Sequence, residues 1–76
     1  MTRNIHNWSF RDVVDVLKDN GFAHTHTEGS HFFYTKKISK GSSQVCVPFH
    51  GAKSIKSRTM KGIILQSGIS KKVWMQ

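Results

Sequence analysis

A sharply bounded amphipathic helix near the start of the chain constrains the fold more than any other segment. Ser9 is a typical N-cap residue, and Asp12 stands three positions later, as in a capping box with a shorter acid. Apolar residues then recur at the i, i+3, i+4, i+7 spacing that places them on one helical face, namely Phe10, Val13, Val14 and Leu17. The pair Asn20-Gly21 is a typical helix end. The sequence therefore predicts a helix that buries one face against another layer.

Three short β-prone segments follow this helix. They are Ala23–Thr27, His31–Lys37 and Gln44–Phe49. A turn is expected at Glu28-Gly29-Ser30 and a flexible hairpin loop over Ser39–Ser43. Because Val45, Val47 and Phe49 alternate with other residues, one face of the third strand is expected to be buried.

A second helix is predicted after a basic loop over His50–Lys56. Ser54 or Ser57 is its expected N-cap, and Gly68 its expected end. Its apolar face would carry Met60, Ile63, Ile64 and Leu65, and a final turn capped by Ser70 would place Val73 and Trp74 inward. This order predicts one α+β domain over residues 1–76. A three-stranded antiparallel sheet would carry both helices on one face and leave the other face open.

The charge of the chain is strongly segregated. Residues 1–28 hold three basic and four acidic side chains, for a net charge of −1, whereas residues 29–76 hold nine Lys or Arg and no carboxylate. The second part is therefore at +9, which gives +8 for the whole chain. This excess favours nucleic acid as the partner, then an acidic protein, and only then an anionic membrane surface.

Several features favour a cytoplasmic protein without a membrane anchor. The single Cys46 cannot form an internal disulfide, which fits a reducing compartment. No apolar run approaches the roughly 18 residues of a membrane span. The stretch Met1–His6 also lacks the apolar core of a signal peptide.

His31 is the leading candidate for chemistry. It follows Gly29-Ser30 and opens an aromatic run, so in a strand it shares a face with Phe33 and Thr35 and can lie on the open side of the sheet. An imidazole in a field of fixed positive charge suits a protein that holds a polyanion and moves a proton on it. The alternative is a half-buried strand histidine bonded to a neighbour.

Other residues are weaker candidates. His50 could bind phosphate or carry a second proton, or could be a solvated loop residue. The cations between Lys53 and Lys61 could meet phosphate at a helix N-terminus, or could form a solvated face. His24 and His26 are spaced to share a strand face, but few carboxylates accompany them, so no metal site is expected. Cys46 is expected to pack rather than to act as a nucleophile.

Four segments together resemble the HicA family of toxins, the ribonuclease half of HicA–HicB toxin–antitoxin pairs. They are Asp19–Phe22, Glu28–Tyr34, Val45–His50 and Thr59–Ile69. The resemblance runs from about Ser9 to the C-terminus in matching order and spacing. The chain departs from the family in its Ser-rich loop around Gly41, and in having His24 and His26 where basic residues are common.

The resemblance implies a double-stranded-RNA-binding-domain-like α-β-β-β-α fold, which agrees with the order read from the residues. It also implies that His31 is catalytic, that mRNA is the substrate, and that no metal or other cofactor is required. A HicB-type antitoxin would bind the toxin and mask its active site. The free toxin is expected to be monomeric.

The mechanism expected from these residues uses the 2′-OH of RNA as the nucleophile. Positive neighbours disfavour an imidazolium, so His31 would be available as the general base, and the products would be a 2′,3′-cyclic phosphate and a 5′-OH. The proton for the leaving oxygen could come from His50, a lysine or water. The expected supporting RNA contacts are Gly29, Ser30, His50, Lys53, Lys56, Arg58 and Lys61. Two alternatives remain: a non-catalytic RNA-binding module of the same fold with a structural His31, and a module that docks an acidic protein.

Overall fold

The computed structural model describes residues 7–51 and 53–75, so the stretch Met1–His6 considered above lies outside the described residues. The elements are α1 (Phe10–Asp19), β1 (Ala23–Glu28), β2 (His31–Ile38), β3 (Gly41–Pro48), α2 (Ser57–Ser67) and α3 (Lys71–Trp74). The strands form one antiparallel sheet in the order β1-β2-β3. This is the predicted α+β arrangement, like that of double-stranded-RNA-binding domains. No helix in the described part of the chain could span a membrane.

The first helix has the predicted ends. The Ser9 hydroxyl accepts a hydrogen bond from the Asp12 N–H at 3.1 Å, and the Asp12 carboxylate accepts one from the Ser9 N–H at 3.2 Å, which completes the capping box. At the other end Gly21 has a φ of 92°, and the Phe22 N–H returns to the Leu17 carbonyl at 2.9 Å. This is a Schellman ending, which fixes the point where the chain turns into the sheet.

Alternation along β2 and β3 divides the sheet into two faces. Tyr34, Val45 and Val47 are buried on the face that meets the helices. Burial removes the Tyr34 hydroxyl from water and raises its pKa. The same core contains Val13, Val14 and Leu17 from α1 and Met60 and Ile63 from α2. Both helices therefore pack on one face, as predicted, and His31 lies on the other face with Phe33.

Trp8 and Trp74, which lie near the two ends of the described chain, pack against each other. The rings of Trp8 and Trp74 meet edge-on with their centroids 5.6 Å apart, and both are buried. The Trp8 carbonyl also accepts a hydrogen bond from the Ile55 N–H at 2.7 Å. The N-terminal segment, the loop before α2 and the C-terminal turn thus meet at Trp8.

The predicted loop over Ser39–Ser43 is wrong. Ile38 pairs with Gly41, so the turn contains only Ser39 and Lys40, and β3 begins three residues earlier than the apolar pattern indicated. Gly41 has a φ of 98°, a conformation that glycine adopts without strain, and this lets the chain reverse within two residues.

Three side chains predicted to face inward lie outside the core. Leu65 is 82% exposed, Phe49 is 43% exposed and Val73 is 36% exposed. Leu65 lies beyond the stripe formed by Met60 and Ile63, so it faces solvent. Phe49 lies past the end of β3 and packs at the rim of the core, edge-on against Phe10.

The predicted serine cap of α2 is also wrong. The N-cap is Lys56, which makes no side-chain cap hydrogen bond, and Ser57 is the first helical residue. Ile55 is held by its backbone bond to Trp8, and this fixes where the helix begins. The C-terminal end at Gly68, with a φ of 69°, is as predicted.

His24 and His26 do not share a face of the sheet. The pairing register shifts between them, which is a β-bulge at Thr25. His24 lies against Phe32 and Tyr34, whereas His26 stacks on Phe33 on the opposite face, with ring centroids 4.3 Å apart. The bulge therefore separates the two histidines that the sequence pattern placed together.

Ile63 and Leu65 test which face of α2 is buried in the core. Ile63→Ala should lower the free energy of unfolding by about 2–5 kcal/mol, because Ile63 is only 2% exposed in the core. Leu65→Ala should change it by less than about 0.5 kcal/mol, because that side chain already contacts water. Urea unfolding followed by tryptophan fluorescence measures both, and equal losses would contradict this assignment.

Candidate active site

His31 is the first residue of β2 and follows a two-residue turn. Gly29 has a φ of 59° at the first central position, which is typical of a type II′ hairpin turn. His31 pairs with Glu28 on one side and with Pro48 on the other. Its side chain is exposed, and within the described residues its imidazole makes no hydrogen bond, ion pair or ring contact. It is therefore not the half-buried, bonded histidine of the alternative interpretation.

His50 approaches His31 because the ladder continues past β3. The Phe49 N–H donates to the Ser30 carbonyl at 2.7 Å, one pair beyond the pairing of Pro48 with His31. The chain then turns away at Gly51, whose φ is 64°, and the His50 carbonyl accepts a hydrogen bond from the Lys53 N–H at 3.3 Å. Sequence-distant residues 31 and 50 are thereby held at one end of the sheet.

A groove of about 770 Å³ joins these histidines to the loop before α2. Its lining residues are His31, Cys46, Pro48, His50, Lys53, Ser54, Ile55, Lys56 and Thr59. Four of the residues singled out from sequence thus meet here: both histidines and two lysines. Gly29 and Ser30 form the adjoining turn, while Arg58 and Lys61 are exposed on α2 and do not line the groove.

The described side chains that line the groove include two positive charges and no carboxylate. Lys53 and Lys56 are exposed, and neither side chain makes an ion pair within the described part of the chain. The N-cap of α2 supplies no side-chain acceptor, so the positive end of the helix dipole adds to these charges at Lys56 and Thr59. The groove can therefore attract an anion without first breaking a salt bridge.

The residue pattern indicates only packing for Cys46 and only a turn for Glu28, so it does not reveal their place at the groove. Cys46 lines the groove, and burial raises the pKa of its thiol, an effect that the negative charge of Glu28 strengthens. A raised pKa leaves the thiol protonated and poorly nucleophilic. Alternation along the third strand could have found Cys46, since it lies two positions before Pro48 on the same face.

A second missed feature lies on the open face beside His31. The rings of His26 and Phe33 are stacked with an interplanar angle of 5°, and His26 Nε2 lies 3.3 Å from Glu28 Oε2. The alternation of β2 predicts that Phe33 shares the face of His31, but only the bulge brings His26 there. This stack gives the open face a flat surface next to the groove.

No group of three metal-ligating side chains converges within residues 7–51 and 53–75. Only pairs such as His26 with Glu28 come together there.

Comparison with protein families gives one match. A family model described as the HicA toxin of bacterial toxin–antitoxin matches residues 10–69, which include the whole groove. The chain belongs to this family. As a HicA toxin, it belongs to a toxin–antitoxin system, which implies an antitoxin partner. Comparisons with curated proteins and with solved structures gave no match.

Alkylation of Cys46 reports on the electrostatics of this HicA groove. Iodoacetamide reacts with the thiolate, so the midpoint of its pH–rate curve should lie above that of an unstructured cysteine peptide. Glu28→Gln should move this midpoint to lower pH, because it removes a negative charge that opposes ionisation. Asp19→Asn, a matched change on α1, should leave it unmoved. A midpoint at or below that of the peptide would contradict the assignment.

Proposed function

We propose that this HicA toxin is a metal-independent endoribonuclease that cleaves mRNA, with His31 as the general base, and that a HicB-type antitoxin neutralises it. One observation carries the proposal: an exposed imidazole stands in the same open groove as two lysines, and none of the three has a bonded partner within residues 7–51 and 53–75. Such a groove suits a polyanion that lies across the surface of a small protein.

In the proposed reaction, RNA itself supplies the nucleophile, its 2′-OH group. A neutral His31 accepts the proton of a 2′-OH while that oxygen attacks the adjacent phosphorus. The products are a 2′,3′-cyclic phosphate and a 5′-OH. Because the nucleophile belongs to the substrate, the protein needs to supply only a base, a proton donor and positive charge.

The phosphate would be held by Lys53 and Lys56. Both residues belong to the loop that lines the groove, whereas His31 belongs to the sheet, and α2 begins directly after Lys56. Fixed positive charge and backbone N–H groups at this point stabilise the charge that develops on the phosphoryl oxygens. Arg58 and Lys61 are proposed to contact RNA beyond the groove.

The antitoxin would act by covering the groove. Three of the four acidic residues of the chain, Asp12, Asp15 and Asp19, lie on α1, so the surface around the groove has few carboxylates of its own. An acidic segment of a HicB-type partner would compete directly with RNA for Lys53 and Lys56.

Cleavage of a long single-stranded RNA in EDTA tests the general base. His31→Ala should lower the cleavage rate by about 10²–10⁴-fold, the usual contribution of a general base. The matched control His24→Ala removes an imidazole from the opposite face and should leave the rate unchanged. RNA with 2′-deoxy linkages should resist cleavage by the wild type.

Two results would contradict this proposal. Equal cutting of 2′-deoxy linkages would exclude the 2′-OH as the nucleophile. RNA binding without cleavage, equal in wild type and His31→Ala, would favour the non-catalytic RNA-binding module instead.

The phosphate contacts are tested through the salt dependence of RNA binding. The double change Lys53→Gln and Lys56→Gln should lower the slope of log affinity against log salt by about 1.4, at roughly 0.7 for each phosphate contact on a single strand. The same change at Lys71 and Lys72 on α3, outside the groove, should have little effect. Fluorescence anisotropy with an uncleavable 2′-O-methyl RNA measures both slopes. Equal slopes for the two double variants would place the phosphate elsewhere.

A further inference from the structure

The geometry points to His50 as the general acid that protonates the leaving 5′-oxygen, so that this toxin works with two histidines on opposite sides of one phosphate. This inference rests on the proposed ribonuclease function. It concerns the proton donor, which the residue pattern left open among His50, a lysine and water.

The register of the sheet brings the two imidazoles to the same face. His31 pairs with Pro48, and His50 lies two positions further along, so alternation places it on the side of Pro48 and His31. Both side chains line the groove. Because neither imidazole is bonded to the other within the described residues, a phosphate in this groove of about 770 Å³ can lie between them.

An in-line displacement requires such a separation. The attacking and leaving oxygens stand on opposite sides of phosphorus, so the base and the acid must approach from opposite sides. Two groups in contact with each other could not serve both oxygens. Within the described residues neither imidazole is bonded to the other or to another side chain.

Contacts on the opposite face of the sheet fix the backbone next to His50. Phe49 points to the other face, where its ring meets Phe10 at 5.0 Å and Phe32 at 6.0 Å between centroids. Its N–H is bound to Ser30, and the turn at Gly51 follows immediately. The packing of the Phe49 ring thus fixes the backbone that carries His50. The His50 side chain itself is exposed at the groove.

The other donors of the groove suit this role less well. A general acid is most efficient when its pKa is near the working pH, and imidazole is the side chain that ordinarily meets this condition. Lys53 and Lys56 are better used as fixed positive charge that holds the phosphate. The Cys46 thiol has a raised pKa and is also a poor donor.

The titratable and charged groups that face His50 in the groove are Lys53 and Lys56 from the loop and His31 and Cys46 from the sheet. A bound phosphodiester would add one negative charge among them.

The step balances without a further reactant. The 2′-oxygen loses its proton to His31 and forms a bond to phosphorus, while the bond from phosphorus to the 5′-oxygen breaks and His50 gives that oxygen a proton. His31 is left protonated and His50 neutral. Exchange with water restores both before the next cleavage.

A substrate with sulfur in place of the bridging 5′-oxygen tests the assignment. A thiolate leaves without protonation, so the loss of a general acid matters only for the normal linkage. His50→Ala and His50→Gln should each be slower by about 10²–10⁴-fold on the normal RNA and close to wild type on the sulfur-bridged RNA. His31→Ala should be slow on both, and His24→Ala should be normal on both.

The pH profile supplies a second readout. The wild type should show a rate that falls at low pH, where the base is protonated, and at high pH, where the acid is deprotonated. On the normal RNA, His50→Ala should lose the fall at high pH and keep the fall at low pH. Circular dichroism checks the fold of each variant, which should be unchanged because the His50 side chain is exposed.

The outcomes separate this inference from the proposed function. Equal loss of activity by His50→Ala on both substrates would make His50 a phosphate-binding residue, and unchanged activity would make it dispensable; either result overturns the inference while leaving His31 as the base. If the wild type cuts neither RNA, the ribonuclease function and the inference both fail.

Discussion

The pairing of β2 with β3 is the constraint on which the rest of the structure depends. Eight residue pairs run from His31 and Pro48 at one end to Ile38 and Gly41 at the other. Because side chains alternate, one register sends Tyr34 and Val45 into the core and turns His31 outward. A slip of one residue would exchange the two faces. The core and the candidate site are therefore specified together, since the apolar residues that fix the register also fix the orientation of the histidines.

The groove shows how a small domain can position charged side chains without burying them. Its lysines and histidines are exposed, so the fold avoids the large penalty of burying charge. Their positions depend on the backbone instead: one hydrogen bond ties Phe49 to Ser30, and another ties Ile55 to Trp8. Trp8 and Phe49 thus hold a loop whose lysines make no ion pair in the described part of the chain. A chain of 76 residues can build such a surface site without a deep pocket.

Much of this fold could be predicted because its signals are local. The capping box of Ser9, the endings at Gly21 and Gly68 and the alternation of β3 each depend on a few neighbouring residues. The same alternation predicted that His31 shares a face with Phe33, but not which face of the sheet that is. The bulge at Thr25 has no comparable signal, since it depends on pairing with β2, and it moved His26 beside Phe33. The site was only partly predictable for the same reason. The grouping of Lys53 with His31 depends on contacts between distant segments, as does the start of α2 after Lys56.

The contact between Trp8 and Trp74 connects α3 to the groove. The loop that carries the groove lysines is bound to Trp8 through Ile55, and the Trp8 ring packs against Trp74 on α3. A change in the packing of α3 can therefore displace Lys53 and Lys56 through two successive contacts, although no residue of α3 lines the groove.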